Sequence, residues 1–166
     1  MSLRIRVATL DDTAGVSALL AASYPVFMKE AYDADVLKSA IELMTRAQPA
    51  LLESGTFYVA ETDSGLIVGC GGWTREYPQD GTIQHGIGHL RHFATHPDWA
   101  AQGIGKAVFE HCKAQAHAAG IEHFECLASL NAVGFYEALG FIRIRQIEVA
   151  MGAEVRLPSM YMRLSF

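Results

Sequence analysis

The stretch Gly88–His117, GHLRHFATHPDWAAQGIGKAVFEHCKAQAH, limits the fold more than any other part of the chain. It opens with an alternating run, His89 to Thr95. Leu90, His92 and Ala94 would share one face, and His89, Arg91 and Phe93 the other. A period of two predicts a strand. Pro97 and the small residues Ala100, Ala101 and Gly103 then break the pattern. A helix is predicted from Ile104, with Val108, Cys112, Ala116 and Ala119 on its apolar stripe. Lys106, Glu110, Lys113 and His117 occupy the opposite face. Gly120 stands where a left-handed C-cap would end it.

A strand feeding a glycine turn that opens a helix is suited to an anion. The first helical N–H groups lack internal partners and carry the positive end of the macrodipole. Gly103 and Gly105 have no side chains to keep a phosphate from the backbone. Two other phosphate motifs are excluded. A P-loop needs Gly where Ala100 stands and Ser or Thr where Ala107 stands, and the dinucleotide fingerprint needs a small residue at Val108. By itself the Gly-x-Gly pair fits a plain structural turn equally well.

Two longer runs add specificity. HPDWAAQGIGKAVF resembles the coenzyme A pyrophosphate loop of the GNAT superfamily of N-acetyltransferases, with its Gln/Arg-x-x-Gly-x-Gly/Ala pattern. Downstream, SLNAVGFYEALGF (Ser129 to Phe141) resembles the same family's Asn-x-x-Ala…Tyr-x-x-x-Gly-Phe motif. Ala100 departs from the Gln/Arg of the first motif, and Ser129 from the Asn of the second. The resemblance covers most of the chain and is strongest from Leu90 to Phe141. It implies an α/β GNAT fold, with a mixed central sheet of about seven strands flanked by helices and residues 1–166 as a single domain.

The rest of the chain fits that reading. Leu3 to Val7 reads as an edge strand, and Thr9 with Asp12 as a capping box. The helix that follows carries Val16, Leu19, Leu20 and Ser23 and is expected to end before Pro25. A second helix runs from Asp33 through Leu37, Ala40, Ile41 and Met44, and Pro49 starts a short apolar turn. Thr56 to Glu61 and Leu66 to Trp73 form a hairpin. Gly69, Gly71 and Gly72 within its second arm predict a bulge or a close backbone approach. Arg75 to Thr82 is a polar loop. Glu122 to Ala128 is a strand parallel to its predecessor, since a helix connects them. A short helix, Ala132 to Leu139, precedes a closing hairpin turned at Met151-Gly152.

Composition excludes several classes. A net charge of −5 lacks the basic face that nucleic acid requires, and it inclines the expected acceptor toward cationic amines. No run reaches membrane-spanning length, and MSLRIRVATLDD has no apolar core of a signal peptide, so neither membrane nor export is expected. Cys70, Cys112 and Cys126 fall within apolar patterns and read as reduced, buried thiols of a cytoplasmic protein. His85, His89, His92 and His96 do not make a metal site by pattern: His89 and His92 fall on opposite strand faces, and no carboxylate or Cys completes a set. No metal is expected.

The resemblance implies a direct transfer of acetyl from acetyl-coenzyme A to a primary amine, on a small molecule or a peptide. Such an ammonium, with a pKa of ~10.4, is about one part in a thousand neutral near pH 7.4, so its proton must be removed. The thioester oxygen gains negative charge and needs N–H donors, and the departing thiolate is helped by a proton. By family position Tyr136 is that proton donor, the alternative being a tyrosine that only packs on the sheet. His89 falls where family members carry a general base; a satisfied strand histidine is its alternative, and Glu61 and Glu76 are rival bases. Phe93, Ala94 and Thr95 would pair with pantetheine through their backbone. Gln102, Gly103, Ile104, Gly105 and Lys106 would hold the pyrophosphate, and Ser129 the pantetheine arm. Lys106 could instead pair with Glu110 along the helix. A non-catalytic acyl-coenzyme A sensor is the second functional class, and a homodimer through the closing hairpin is consistent with the family.

Overall fold

In the computed structural model, which describes residues 2–152 and 154–166, the expected strand–turn–helix lies at the middle of the fold. The elements run β1 (Leu3–Val7), α1 (Thr13–Met28), α2 (Ala34–Met44), α3 (Pro49–Leu52), β2 (Phe57–Thr62), β3 (Ile67–Thr74), β4 (Ile87–Thr95), α4 (Ile104–Ala118), β5 (His123–Ser129), α5 (Val133–Ala138), β6 (Ile142–Met151) and β7 (Val155–Ser165). The strands form one seven-stranded sheet, ordered β1-β2-β3-β4-β5-β7-β6. Only β4 and β5 pair in parallel, as the helical crossover requires.

Strand alternation builds the two faces. In β2, Tyr58 and Ala60 pack with α4 and α5, against Val108, Phe109, Cys112 and Tyr136. Phe57 and Val59 point the other way, into a cluster with Val16, Leu19 and Leu20 of α1 and Leu52 of α3. A smaller cluster joins Met28 and Ala40 to Val149 and Leu157 of the closing hairpin. The capping box forms: the Thr9 N–H donates to Asp12 Oδ2 at 2.8 Å, and the Asp11 N–H to Thr9 Oγ1 at 3.3 Å. It caps a short 3-10 turn that leads into α1.

One helix boundary differs from expectation. Pro25 does not end α1 but sits inside it. A proline there forfeits one i→i−4 bond. The last turn is retained because Met28 is fully buried in the hairpin cluster and Tyr24 packs beside it.

The even alternation expected for His89 to Thr95 is also broken. His92 adopts φ 51, and the β3–β4 register shifts between Cys70 and Gly72. This is a β-bulge: His92 and Phe93 together oppose Gly71. Leu90 and Phe93 consequently pack toward α4 and α5, while Ala94 packs toward α1. Phe93 therefore does not share a face with His89 and Arg91. The glycines of β3 permit the approach. A Cβ at Gly69 would stand 2.5 Å from Ile104 Cγ2, and one at Gly72 2.5 Å from Thr56 O.

Candidate active site

The β4–β5 ladder is short. It consists of Ile87↔His123, Gly88↔Phe124 and His89↔Glu125, after which the two strands separate. β5 remains paired with β7 as far as Ser129↔Ser159 and β4 with β3 as far as Thr95↔Gly69, so the sheet opens between β4 and β5, with the His92 bulge on the β4 side. From Leu90 to Thr95, β4 has no strand on its β5 side among the described residues. Apart from Phe93 O, which accepts from the Tyr24 hydroxyl, its backbone groups on the side away from β3 are open to a ligand.

Two cavities open into this gap from opposite sides. The first, about 470 Å³, lies at the start of α4 and is lined by Ala94, Thr95, Gly103, Ile104, Gly105 and Lys106. The second, about 370 Å³, lies between α2, the 75–86 loop and the β6–β7 hairpin. They meet at Tyr24, Phe93, Ser129, Ala132 and Tyr136, which line both.

The first cavity has the features of a phosphate cradle. Gly103 is the N-cap of α4 with φ 78, and no side chain caps the helix. The Ala107 N–H already bonds Gly103 O, which leaves the N–H groups before it available. A Cβ at Gly103 would meet nothing within 4 Å, so this glycine is required for its backbone conformation rather than for space. At Gly105 the reverse holds: a Cβ would lie 3.0 Å from Phe135 Cε1. Lys106 lines the cavity, and the ion pair with Glu110 along the helix does not form within 4.0 Å. Gln102 is exposed and lies outside the lining. Ser23, Phe27, Ala100, Ala101, Asn131 and Phe135 complete the wall, and the sequence singled out none of them for contact.

At the junction, the Tyr136 ring is held edge-on by Phe93, Phe135 and Phe141, with centroids 6.4, 5.1 and 5.4 Å away. Its hydroxyl takes no hydrogen bond among the described residues. Burial pushes its pKa well above 10, so the phenol stays protonated. The Tyr24 hydroxyl donates to Phe93 O at 3.3 Å and ties α1 to the bulge. By family position the resemblance implies that the aromatic, acidic segment from Tyr24 to Asp35 walls the acceptor site, and Tyr24 does line the second cavity, although from inside α1 rather than from an irregular segment.

The second cavity is bounded by Leu43, Met44 and Gln48 on one side and Val149 to Gly152 on the other. His92 reaches it from the bulge, with its Nε2 3.1 Å from Gln48 Nε2. An amide nitrogen only donates, so His92 Nε2 accepts and the ring proton sits on Nδ1. Burial, reinforced by Arg91, pulls the His92 pKa down to about 4.

His89 lines neither cavity. It is buried, packs edge-on against Tyr77 at 5.4 Å, and holds Nδ1 3.8 Å from Glu125 Oε1. Burial lowers its pKa more than Glu125 raises it. The other two expected bases are also outside. Glu61 is held by Arg4 at 2.6 Å and Arg6 at 3.1 Å across the β1–β2 edge, and Glu76 bridges to Ile83 in the 75–86 loop. Cys126 lines the second cavity, but burial raises its thiol pKa well above the ordinary range. Among the described residues, no three His, Cys, Asp or Glu side chains converge as a metal site would require.

A mixed seven-stranded sheet that splays beside a glycine-capped helix is the architecture of an acyl-coenzyme A N-acyltransferase. The sequence profile described as the acetyltransferase (GNAT) domain matches residues 53–143, and the chain belongs to that family. Solved structures share the whole fold. A GCN5-related N-acetyltransferase from Rhodopseudomonas palustris is 22% identical with a TM-score of 0.78, the match covering 100% of this chain and 97% of that one. The PaiA N-acetyltransferase from Thermoplasma acidophilum, solved in complex with coenzyme A, is 17% identical with a TM-score of 0.75 and full coverage of both chains. A GNAT family acetyltransferase from Brucella melitensis, solved with acetyl-coenzyme A, is 20% identical with a TM-score of 0.60, covering 99% of this chain and 88% of that one. A comparison with curated protein sequences gave no match.

Proposed function

We propose that the protein is an N-acetyltransferase that moves acetyl from acetyl-coenzyme A directly to a primary amine. One observation carries this reading: two cavities, one beside the glycine-capped helix, meet at Phe93, Ser129 and Tyr136. A two-substrate reaction needs two entrances and one meeting point. The first cavity fits the coenzyme. Gly103, Gly105 and Lys106 would receive the pyrophosphate, and the unpaired edge of β4 from Phe93 to Thr95 would receive the pantetheine arm. The thioester supplies an acetyl group already activated for attack.

The chain's own residues supply the remainder. Unpaired β4 N–H groups stabilise charge on the thioester oxygen. The Tyr136 phenol, protonated and free of other partners, donates to the departing sulfur. Desolvation that raises the phenol pKa raises that of a thiol in the same pocket, which keeps this transfer near balance. Direct transfer is favoured over an acyl-enzyme because Cys126, the thiol in the lining, is held protonated by burial. Among the described residues, no carboxylate lines the acceptor cavity. We assign removal of the ammonium proton to water in the cleft, since His89 lines neither cavity.

The test is amine-dependent thiol release from acetyl-coenzyme A, with the acetylated amine identified by mass spectrometry. A sensor module would bind acetyl-coenzyme A yet release no thiol with any amine. An acetylated protein formed before the amine is added would rule out direct transfer.

A further inference from the structure

The acceptor cavity holds one feature that acetyl transfer itself does not use. Among the described residues, Arg91 is the one Lys or Arg that lines it, and no Asp or Glu does. The protein as a whole carries a charge of −5, so the local sign is reversed. The guanidinium is half-buried, which disfavours its charge, yet arginine stays protonated in proteins. Its recorded bond is Nη1 to Thr74 Oγ1 at 3.1 Å, and the Thr74 hydroxyl donates onward to Glu76 O at 3.0 Å. That relay fixes the guanidinium on the strand. Glu76 is near enough to be felt electrostatically, but among the described residues no carboxylate lies within 4.0 Å of Arg91. By contrast Arg4, Arg6 and Arg143 each close an ion pair.

A desolvated guanidinium without a counter-ion is costly, and an arginine in a cavity lining, with N–H donors beyond the one given to Thr74, matches a carboxylate. Arg91 and Phe93 stand on either side of the His92 bulge, and both line this cavity. A small molecule can therefore present an amine at the junction and an anion at Arg91. A diamine would place its second ammonium beside this arginine, in a lining that offers no carboxylate.

Resting on the acetyltransferase reading, we propose that the acceptor is a small amine bearing a carboxylate, of the free amino-acid class, and that Arg91 binds the carboxylate. Arg91 is then a specificity-determining residue, and the overall negative charge does not set acceptor preference.

The experiment compares free L-amino acids, their amides and alkyl diamines as acceptors in thiol release from acetyl-coenzyme A. The amide amine is the less basic and more often neutral, which biases the comparison against the proposal. The wild-type protein is expected to favour the best acids over their amides by at least about tenfold in kcat/KM. Arg91→Gln should cut that ratio by about tenfold or more, mainly through KM, while Arg91→Lys keeps part of it. Calorimetric affinity for coenzyme A checks that each variant is folded. Equal or better turnover of amides or diamines would overturn the proposal, as would an undiminished ratio in a folded Arg91→Gln protein. Turnover of no acid at all by a protein that binds coenzyme A would also overturn it. Failure of the wild type to bind coenzyme A would instead remove the acetyltransferase reading beneath it.

Discussion

The Phe93 ring lies over Gly71, so close that a Cβ there would stand 2.7 Å from Phe93 Cδ1 and 2.8 Å from Cδ2 and Cε1. Phe93 borders both cavities and holds one edge of Tyr136. The depth of its ring thus sets the geometry of the junction, and a missing side chain on the neighbouring strand sets that depth. The His92 bulge turns Phe93 toward Gly71, and Gly71 admits it.

Gly71→Ala should therefore act on the site and the fold together. Either the ring or the bulge must shift, and overpacking of this kind costs about 1–3 kcal/mol. Thermal unfolding should report that loss. Turnover should fall by about tenfold or more, since a misplacement near 1 Å at the reacting centre has effects of that order. A variant with wild-type stability and activity would show that the contact sets neither.

The two glycines of the helix cap are predicted to fail for different reasons. Gly103→Ala forces a non-glycine residue to φ 78 and puts a methyl group into open cavity space, at a local cost of about 1–2 kcal/mol. Gly105→Val pushes against Phe135 on the cavity wall. Both should weaken coenzyme A binding by about tenfold or more, read by calorimetry on folded protein. Unchanged affinity in both would remove the phosphate role from this turn.

His89 gives a third test. Its ring packs against Tyr77 and lies outside both linings, so His89→Gln should leave the acidic limb of the pH–rate profile in place. Turnover should change by less than about tenfold, below the contribution usual for a general base. Disappearance of that limb would make His89 the base after all.

Much of this arrangement is visible in the sequence, and the exceptions have physical causes. The period-two run, the glycine turn and the amphipathic helix are local patterns, and they place β4, α4 and the cap correctly. The glycines of β3 announced a close approach, and its partners are Ile104 at Gly69, Phe93 at Gly71 and Thr56 at Gly72. What could not be read is the αL conformation of His92: a histidine gives no local signal for it, and the bulge reverses the face that Phe93 occupies. Tyr24 falls in the segment that family position sets beside the acceptor, but its helical conformation was hidden by Pro25, whose effect on the helix is overridden by the burial of Met28. Arg91 was legible as a strand residue. Its isolation from any carboxylate depends on α2, the 75–86 loop and the closing hairpin, which are distant in the chain.

His92 should make stability fall in mild acid. Its pKa is about 4 in the folded protein, against about 6.5 when unfolded, so the folded state prefers the neutral ring. The contribution is fully present above pH 6.5. It is lost as pH drops toward 4, because the unfolded chain takes up the proton first. At full burial such a shift amounts to about 3 kcal/mol, and less for a ring whose edge keeps contact with the cleft. Denaturant unfolding at pH 7 and pH 4.5 should show the loss in wild type, and His92→Gln should reduce it. An equal pH slope in the variant would assign the effect to other groups, His89 first among them.

Tyr136 separates chemistry from packing most cleanly. Its ring is clamped by Phe93, Phe135 and Phe141, so Tyr136→Phe keeps every edge contact and should leave folding and coenzyme A affinity unchanged. The hydroxyl alone is lost, and it serves no structural bond among the described residues. A group kept protonated by burial, at the point where both cavities meet, is poised to donate to the leaving sulfur. Turnover should fall by roughly ten- to a thousandfold, with water replacing part of the proton donation. The deficit should shrink when the coenzyme is replaced by an acyl donor whose thiol is more acidic, because a better leaving group needs less help. A Phe variant with full turnover on the true acceptor would reduce Tyr136 to a packing residue. One that lost coenzyme affinity in step with turnover would place its role in binding.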